Sequence, residues 1–215
     1  MTSSVSSLDD SSTVVAIGDV HGCATRLMLA LLPYFHSGAE LIFLGDLFDR
    51  SPEPEGDARV IELVRSLQND PAAYGLSAVT VLRGNHEQML LDAMDEQDPG
   101  DATWLWTRNG GNPGFLETAR EHRNWLKSLP LTAIRGSYLF VHAGVRPGVP
   151  LDQQQDRDLL WIRSPFLELE HGLPYTVVHG HTFRPDFAVT RLPHRIGIDT
   201  GAFLSGRLTA LPLTV

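Results

Sequence analysis

The chain has 215 residues, of which 42% are hydrophobic and 20% charged, as is usual for a globular protein with a sizeable core. Its formal net charge of −9 argues against general binding to nucleic acid or to an anionic membrane, because both require basic patches. The single cysteine, Cys23, excludes an internal disulfide framework and fits a reducing compartment.

The N-terminal segment and the hydrophobic runs predict where the protein resides. No apolar run is long enough to cross a membrane, and the N-terminus lacks the basic-then-apolar order of a signal peptide. Residues 1–13 are rich in Ser and Asp and are predicted to form a disordered tail. We therefore expect a cytoplasmic protein with one domain over residues 14–215.

Predicted strands and helices alternate along the first half of the chain. Runs rich in β-branched and aromatic residues predict strands at Val14–Ile17, Leu41–Leu44, Val79–Leu82, Tyr138–Val141, Thr176–Val178, Arg195–Ile198 and Leu208–Val215. Helical spacing of apolar residues predicts helices at Cys23–Tyr34, Ala58–Leu67, Glu87–Met94 and Arg120–Leu129. Loops that rim the functional site are predicted at Ser51–Gly56, Gln97–Asn112 and Val145–Asp158. This order indicates a largely parallel sheet followed by a strand-rich second half.

Five short polar motifs stand where predicted strands end. They are Gly18-Asp19-Val20-His21-Gly22, Gly45-Asp46-Leu47-Phe48-Asp49-Arg50, Gly84-Asn85-His86-Glu87, Val141-His142-Ala143-Gly144 and His179-Gly180-His181-Thr182. Side chains that leave the ends of adjacent strands converge on one place. Carboxylate and amide oxygens mixed with imidazoles suit a pair of divalent ions of the Mn, Fe or Zn type.

The spacing of these residues predicts how they divide between two ions. Asp19 and His21 are two residues apart, so both can turn toward the first ion. Asp46 has two carboxylate oxygens and is the natural bridge between the ions. The second ion then takes Asn85, His142 and His181. The alternative, strand-end caps and core histidines, would be favoured for one such residue but not for all six.

In this order the motifs resemble the metallophosphoesterase superfamily and, in detail, its phosphoprotein phosphatase branch. The resemblance runs from about Val14 to the C-terminus. It implies a calcineurin-like α/β/β/α sandwich, in which two packed mixed sheets are flanked by helices. It also implies the same two sets of ligands for two divalent metal ions, with Mn expected first and Fe or Zn as alternatives. Attack on phosphorus would come from a hydroxide that bridges these ions.

Two further residues are candidate catalytic groups. His86 follows the predicted ligand Asn85, so the turn should aim it toward the leaving oxygen as a general acid. In the family that the motifs resemble, the residue that matches Asp49 pairs with this histidine and keeps it charged and oriented. The alternative for Asp49 is a turn residue ahead of Pro52. Cys23, at a predicted helix start, is interpreted as a packing residue rather than a nucleophile.

Arg50 and Arg163 are candidate substrate-binding residues, because the planar fork of arginine matches phosphate oxygens. Arg50 completes the second motif, and Arg163 lies in a Leu-Trp-Ile-Arg segment similar to bacterial and phage phosphatases. The chain departs from the family pattern at Ser51, where glycine is usual, and at Ala143. It also has Phe183 where many phosphodiesterases have a second metal-binding histidine, which favours a monoester phosphatase with an open first metal.

Several remaining polar and aromatic residues are assigned outside the chemistry. His179 is interpreted as a residue that supports the metal ligands or packs, rather than as a ligand, and Asp199 as a strand cap. Histidines outside any motif are expected at the surface: His36, His122, His171 and His194. Trp104 and Trp106 are expected in a loop, where they either pack or form a platform for a base.

The sequence therefore predicts a dinuclear-metal phosphatase. The expected substrate is phosphoserine or phosphothreonine in a phosphoprotein or phosphopeptide, with phosphotyrosine as a further possibility. The alternative is a dinucleoside polyphosphate such as diadenosine tetraphosphate, whose symmetrical hydrolases have a similar Val-His-Ala-Gly segment. A non-catalytic scaffold would have lost predicted ligands, and this chain keeps them all.

Overall fold

The structure, a computed structural model, describes residues 12–95 and 99–215. Residues 1–11 of the predicted disordered tail therefore lie outside the described residues. Gln97, the first residue of a predicted loop, also lies outside them. At the other end of that tail, the first strand begins at Thr13, which pairs with Thr214, rather than at Val14. None of the helices in the described part of the chain combines the length and the apolar character needed to cross a lipid bilayer.

Nine strands and eight α-helices lie within the described ranges. The strands are β1 (Thr13–Ile17), β2 (Glu40–Phe43), β3 (Ala78–Val81), β4 (Thr132–Arg135), β5 (Tyr138–Val141), β6 (Thr176–His179), β7 (Thr190–Arg191), β8 (Arg195–Gly197) and β9 (Ala210–Thr214). The helices are α1 (Ala24–Leu31), α2 (Gly56–Asn69), α3 (Asn85–Ala93), α4 (Pro99–Arg108), α5 (Leu116–Glu121), α6 (Arg123–Ser128), α7 (Asp156–Trp161) and α8 (Ala202–Ser205).

The strands form two mixed sheets. The first has the order β3-β2-β1-β9, with β1, β2 and β3 parallel and β9 antiparallel to β1. The second has the order β4-β5-β6-β8-β7, with β5, β6 and β8 parallel and both edge strands antiparallel. Parallel strands that follow one another end at the same edge, so each sheet presents its carboxyl-end loops together.

Alternating side chains join the sheets into a layered core. Ala16 and Ile42 point toward the second sheet and pack with Phe140 and Val178. The intervening residues face the other way; Val15 and its neighbours pack against α1, α2 and α3. The outer face of the second sheet packs against α7 and the segment that follows it. These layers confirm the predicted α/β/β/α sandwich.

Two predicted elements of the middle region are wrong. The segment predicted as a loop over Gln97–Asn112 contains α4, which packs against α3. In the sequence, Pro99 and Gly100 indicate a loop. Proline is, however, tolerated at a helix start, and here these two residues begin a helix that buries one face. The helix predicted over Arg120–Leu129 is two short helices that break at His122, whose backbone has φ −103° and ψ 7°.

Candidate active site and metal centre

The five motifs leave the carboxyl ends of parallel strands in both sheets. Asp19 and Asp46 follow β1 and β2, and Asn85 follows β3 at the first position of α3. From the second sheet, His142 follows β5 and His181 follows β6. All five residues are buried. The predicted convergence of these side chains is therefore present, and the site lies where the two sheets meet.

The turns that present these side chains have an unusual backbone. Eight non-glycine residues in the described ranges have positive φ, and five of them are predicted site residues: His21, Asp46, Asp49, Arg50 and His181, with φ between 46° and 70°. This left-handed conformation costs about 1–3 kcal/mol for a residue with a side chain. Strain of this kind persists where function requires the geometry.

Two glycines allow the chain to approach itself closely around the site. Gly45 has φ +94°, and a Cβ there would overlap the backbone nitrogen of Gly84. A Cβ at Gly180 would overlap a carboxylate oxygen of Asp19. The glycines that precede Asp46 and His181 thus have a steric reason and not only a turn preference.

One group of candidate metal ligands consists of Asp46, Asn85, His142 and His181. The ring nitrogen Nδ1 of His142 lies 2.9 Å from the carbonyl oxygen of Leu44 and donates to it, so Nε2 carries a lone pair. That Nε2 lies 2.8 Å from Asn85 Oδ1 and 3.3 Å from Asp46 Oδ1. His181 Nε2 is buried and has no hydrogen-bond partner among the described residues. Burial lowers the pKa of His142, and lowers that of His181 to about 2, so both rings are neutral.

Lone pairs that converge without a proton between them fit a cation. The ligand atoms of Asp46, His142 and His181 all lie within 4.8 Å of one another. A carboxylate, an amide oxygen and two neutral imidazoles are the donors that Mn, Fe and Zn ions accept. The residues predicted for the second ion therefore fit it.

The group predicted for the first ion is brought together less tightly. His21 Nδ1 donates to the carbonyl of Phe48 at 2.9 Å, and its Nε2 lies 3.7 Å from Asp46 Oδ2. Burial lowers the pKa of His21 to about 3, so this ring is neutral too. The atoms that cluster within 4.8 Å are those of His21, Asp46 and His86. The carboxylate of Asp19 instead accepts the backbone N–H of His181, at 3.1 and 3.0 Å.

His86 and Asp49 form a buried pair. His86 Nδ1 lies 2.6 Å from Asp49 Oδ2, while His86 Nε2 has no hydrogen-bond partner among the residues the structure describes and lies 4.0 Å from Asp46 Oδ2. Burial opposes the charged form of His86, but the carboxylates of Asp46 and Asp49 outweigh it and raise its pKa. His86 is therefore held protonated, and it lines the small cavity at the centre of the site.

The indole of Trp106 completes this pair. Its Nε1 lies 2.9 Å from each carboxylate oxygen of Asp49 and donates to them, and the side chain is fully buried in α4. The hypothesis that Trp106 stacks on a base is therefore wrong. Trp104, by contrast, is 62% exposed, so its ring is accessible. Sequence reasoning missed this contact, because Trp106 was placed in a loop.

Substituting Trp106 by phenylalanine tests the contact, because only the N–H is lost while an aromatic ring remains. A hydrogen bond to a charged group contributes about 1.5–3 kcal/mol, so we expect kcat for an alkyl phosphate to fall roughly 10- to 100-fold with little change in KM. Trp125→Phe is the matched control, since its Nε1 donates to Gln68 Oε1 at 2.7 Å in a different part of the fold. Equal kcat values for the two variants would contradict a role in positioning Asp49.

Arg50 and Arg163 line the same cavity, together with Asp46, Asn85, His86, Asn109, Trp161 and His181. The cavity has a volume of about 100 Å³. Arg50 is held by the segment after α4, because its Nε donates to the Asn109 carbonyl at 3.1 Å and its backbone N–H to the Gly110 carbonyl at 2.9 Å. Its Nη1 also lies 3.1 Å from His21 Nε2. In the sequence, the turn Asn109-Gly110-Gly111 is the pattern that could have indicated that this segment holds Arg50.

The remaining predicted residues divide into confirmed and corrected ones. Cys23 is buried at the start of α1, and burial raises the pKa of its thiol to about 11, which fits packing. His179 packs edge-on against Phe166, as predicted. The prediction that His171 lies at the surface is wrong. It is buried, its Nε2 donates to the His194 carbonyl at 2.8 Å, and its Nδ1 accepts the Leu173 N–H.

Asp199 was interpreted as a strand cap, and it does accept the backbone N–H of Gly201 at 2.8 Å. Asp199 also lies close to Asp19. Burial is the main cause that raises the pKa of Asp19, and the negative charge of Asp199 is the next. Nearby, Phe183 stacks on Phe187 with ring centroids 5.5 Å apart.

The sandwich and its buried Asp, Asn and His side chains define a class of hydrolases that act on phosphate esters. The sequence profile of the calcineurin-like phosphoesterases matches residues 12–200. The chain belongs to the calcineurin-like phosphoesterase family, and it is a hydrolase of phosphoesters. This family uses a dinuclear site for divalent metal ions, and two clusters in the structure, His21-Asp46-His86 and Asp46-His142-His181, fit such a site.

The proteins to which the chain is similar have different names. Serine/threonine-protein phosphatase 1 of Salmonella typhimurium is 30% identical over 217 residues, which cover 91% of this chain and 89% of that protein. The symmetrical bis(5'-nucleosyl)-tetraphosphatase of Methylococcus capsulatus is 32% identical over 143 residues, which cover 62% of this chain and 44% of that protein. The cold-active protein-tyrosine phosphatase of a Shewanella species shares the fold, with a TM-score of 0.59 and 18% identity over 94% of this chain and 80% of that one.

Proposed function

We propose that this protein is a dinuclear-metal phosphatase for phosphomonoesters, acting on phosphoserine and phosphothreonine in proteins and also on phosphotyrosine. The observation that carries this proposal is the cavity bounded by Arg50, Arg163, His86 and the metal-ligand cluster. Its volume of about 100 Å³ is well below the roughly 300–1,000 Å³ of pockets that enclose a whole small molecule. Such a cavity suits a phosphoryl group while the rest of the substrate stays outside.

In this proposal, Asp19, His21 and Asp46 hold one ion, and Asp46, Asn85, His142 and His181 hold the other. When bound, the two ions supply charge neutralisation and a water of lowered pKa. The chain's own residues account for the remaining chemistry of the reaction.

Three side chains then act on the substrate itself. Arg50 and Arg163, which both line the cavity, bind phosphate oxygens and orient phosphorus. The leaving oxygen takes a proton from Nε2 of His86, the nitrogen that has no hydrogen-bond partner among the described residues. Asp49 accepts from Nδ1 and keeps the ring oriented, and Trp106 in turn holds Asp49.

The identity of the metal and the location in the cell remain predictions. We expect Mn first, with Fe or Zn as alternatives, because the ligand set suits all three. A cytoplasmic location is supported by Cys23, the one cysteine of the chain, which is free and buried.

The alternative function is hydrolysis of dinucleoside polyphosphates, which the match to the tetraphosphatase of Methylococcus capsulatus favours. Two observations weigh against it. The phosphatase match covers 89% of its relative, whereas the tetraphosphatase match covers 44%. With Trp106 buried under Asp49, Trp104 is the aromatic left exposed on α4 to stack a base, and it already lies under Arg108, 5.5 Å from its ring centroid.

A comparison of kcat/KM on Mn-loaded protein separates the two functions. We expect a phosphoserine peptide to be the better substrate and diadenosine tetraphosphate the poorer one. We also expect Trp104→Ala to leave both values close to those of the wild type. A much higher kcat/KM for diadenosine tetraphosphate, together with a loss of roughly 1–3 kcal/mol in Trp104→Ala as expected when a base stacks, would reverse the assignment.

A further inference from the structure

Two grooves of opposite charge flank the phosphate cavity. The first, which we call the basic groove, has a volume of about 470 Å³, and its lining includes Arg146, Gln155, Arg157, Asp158, Trp161 and Arg163. It shares Trp161 and Arg163 with the phosphate cavity, so the two are adjacent. A substrate group that lies next to the phosphate can therefore enter the basic groove.

The basic groove has positive charge to spare. Arg146 is neutralised, because its Nε lies 2.6 Å from Asp158 Oδ2 in an ion pair. Arg157 and Arg163 are exposed, and neither guanidinium group makes a hydrogen bond or an ion pair with any residue of 12–95 or 99–215. Because Arg163 is assigned to the phosphate itself, Arg157 is the guanidinium group left for another anion, which is a local exception in a chain of net charge −9.

The second groove, which we call the acidic groove, lies beside Arg50. It has a volume of about 550 Å³ and is lined by Glu53, Glu55 and Asp57 among others. Glu53 is paired with Arg59, whose Nη1 lies 3.0 Å from Glu53 Oε2, so Glu55 and Asp57 carry the remaining negative charge. It meets the phosphate cavity at Arg50, whereas the basic groove meets it at Arg163. The site is therefore polarised, with positive charge on one side of the phosphate and negative charge on the other.

We propose that the basic groove is a subsite for a second anionic group of the substrate, the carboxylate of an Asp or Glu beside the phosphorylated residue. This inference rests on the proposed function and narrows its substrate class to phosphopeptides with an acidic flank on one side. A peptide can place acidic residues on one flank and neutral or basic ones on the other. A polyphosphate that extends along both grooves would bring negative charge against Glu53, Glu55 and Asp57.

The test uses three phosphoserine peptides of equal length. Acidic residues stand on the N-terminal flank, on the C-terminal flank, or on neither, with alanine in their place. We expect one acidic flank to lower KM relative to the alanine peptide. Arg157→Ala should reduce this ratio of KM values by about 2- to 5-fold, the scale of an exposed ion pair, and Arg157→Glu should invert it. The preference should also weaken as salt is added.

Arg191→Ala is the matched control, because Arg191 is also exposed and lies on β7, outside all three cavities. Its KM ratio should equal that of the wild type. The proposal is overturned if neither acidic flank improves KM, or if Arg157→Ala and Arg191→Ala give the same ratio.

A second measurement keeps this test independent of the proposed function. Peptides that carry a non-hydrolysable phosphonate in place of phosphoserine are used to inhibit turnover of p-nitrophenyl phosphate. The ratio of inhibition constants for acidic-flank and alanine peptides should change in Arg157→Ala by the same factor. If phosphopeptides are not hydrolysed, the proposed function fails, and this ratio still decides whether the basic groove binds carboxylates.

Discussion

Asp46→Asn is expected to lose both bound metal and nearly all activity. The carboxylate of Asp46 lies 3.3 Å from His142 Nε2 and 3.7 Å from His21 Nε2, so it belongs to both groups of ligands. Loss of an outer partner of a metal ligand costs roughly 10- to 100-fold, and loss of the shared ligand itself should exceed this range. Metal content by mass spectrometry and kcat/KM on p-nitrophenyl phosphate measure the two losses.

The choice of asparagine keeps the comparison free of backbone effects. Asp46 has φ +51°, a conformation that asparagine tolerates better than most residues. Asp70→Asn is the control, because that side chain caps a short 3₁₀-helix by accepting from Ala73, and asparagine caps equally well. Two bound ions with near-normal turnover in Asp46→Asn would rule out Asp46 as the bridge.

In His86→Asn, the loss of activity should be larger for substrates whose leaving group depends more strongly on protonation. General acid catalysis contributes about 10²- to 10⁴-fold, so we expect a loss of that size on an alkyl phosphate. Turnover of p-nitrophenyl phosphate should change far less, because its phenolate leaves without protonation. Steady-state kinetics on both substrates, at fixed metal content, gives the two ratios.

Asp49→Asn provides the internal comparison for this prediction. The variant keeps His86 but weakens the 2.6 Å contact that holds the ring charged, so it should show the same leaving-group bias to a smaller extent. Equal losses on the two phosphate esters in His86→Asn would mean that His86 does not protonate the leaving group.

The sequence predicted the strand-end residues well because their signals are local. A buried apolar run followed by Gly and Asp needs only its neighbours to identify a strand and a turn, and parallel order then brings Asp19, Asp46 and Asn85 to one edge. The core strands were placed within a few residues for the same reason. The edge strands β4 and β7 were missed, because Thr132–Arg135 and Thr190–Arg191 are short and only partly buried.

What the sequence did not reveal depends on contacts between distant parts of the chain. Trp106 acts on Asp49, which is 57 residues away, and no local pattern specifies which indole will meet which carboxylate. His171 is buried because it finds the carbonyl of His194, 23 residues further along. The opposite charges of the two grooves likewise arise from loops that meet only in three dimensions.

The left-handed turns at the site also limit how far the thermal stability of this protein can be raised without loss of activity. Glycine adopts positive φ without steric cost, so replacing His21, Asp49, Arg50 or His181 by glycine would relieve strain in the folded chain. Each of those changes would also remove a side chain that the chemistry needs. Where the relief of strain exceeds the cost of the lost contacts, selection of variants for thermal stability alone would therefore enrich substitutions at these turns. The variants selected in this way would have low activity.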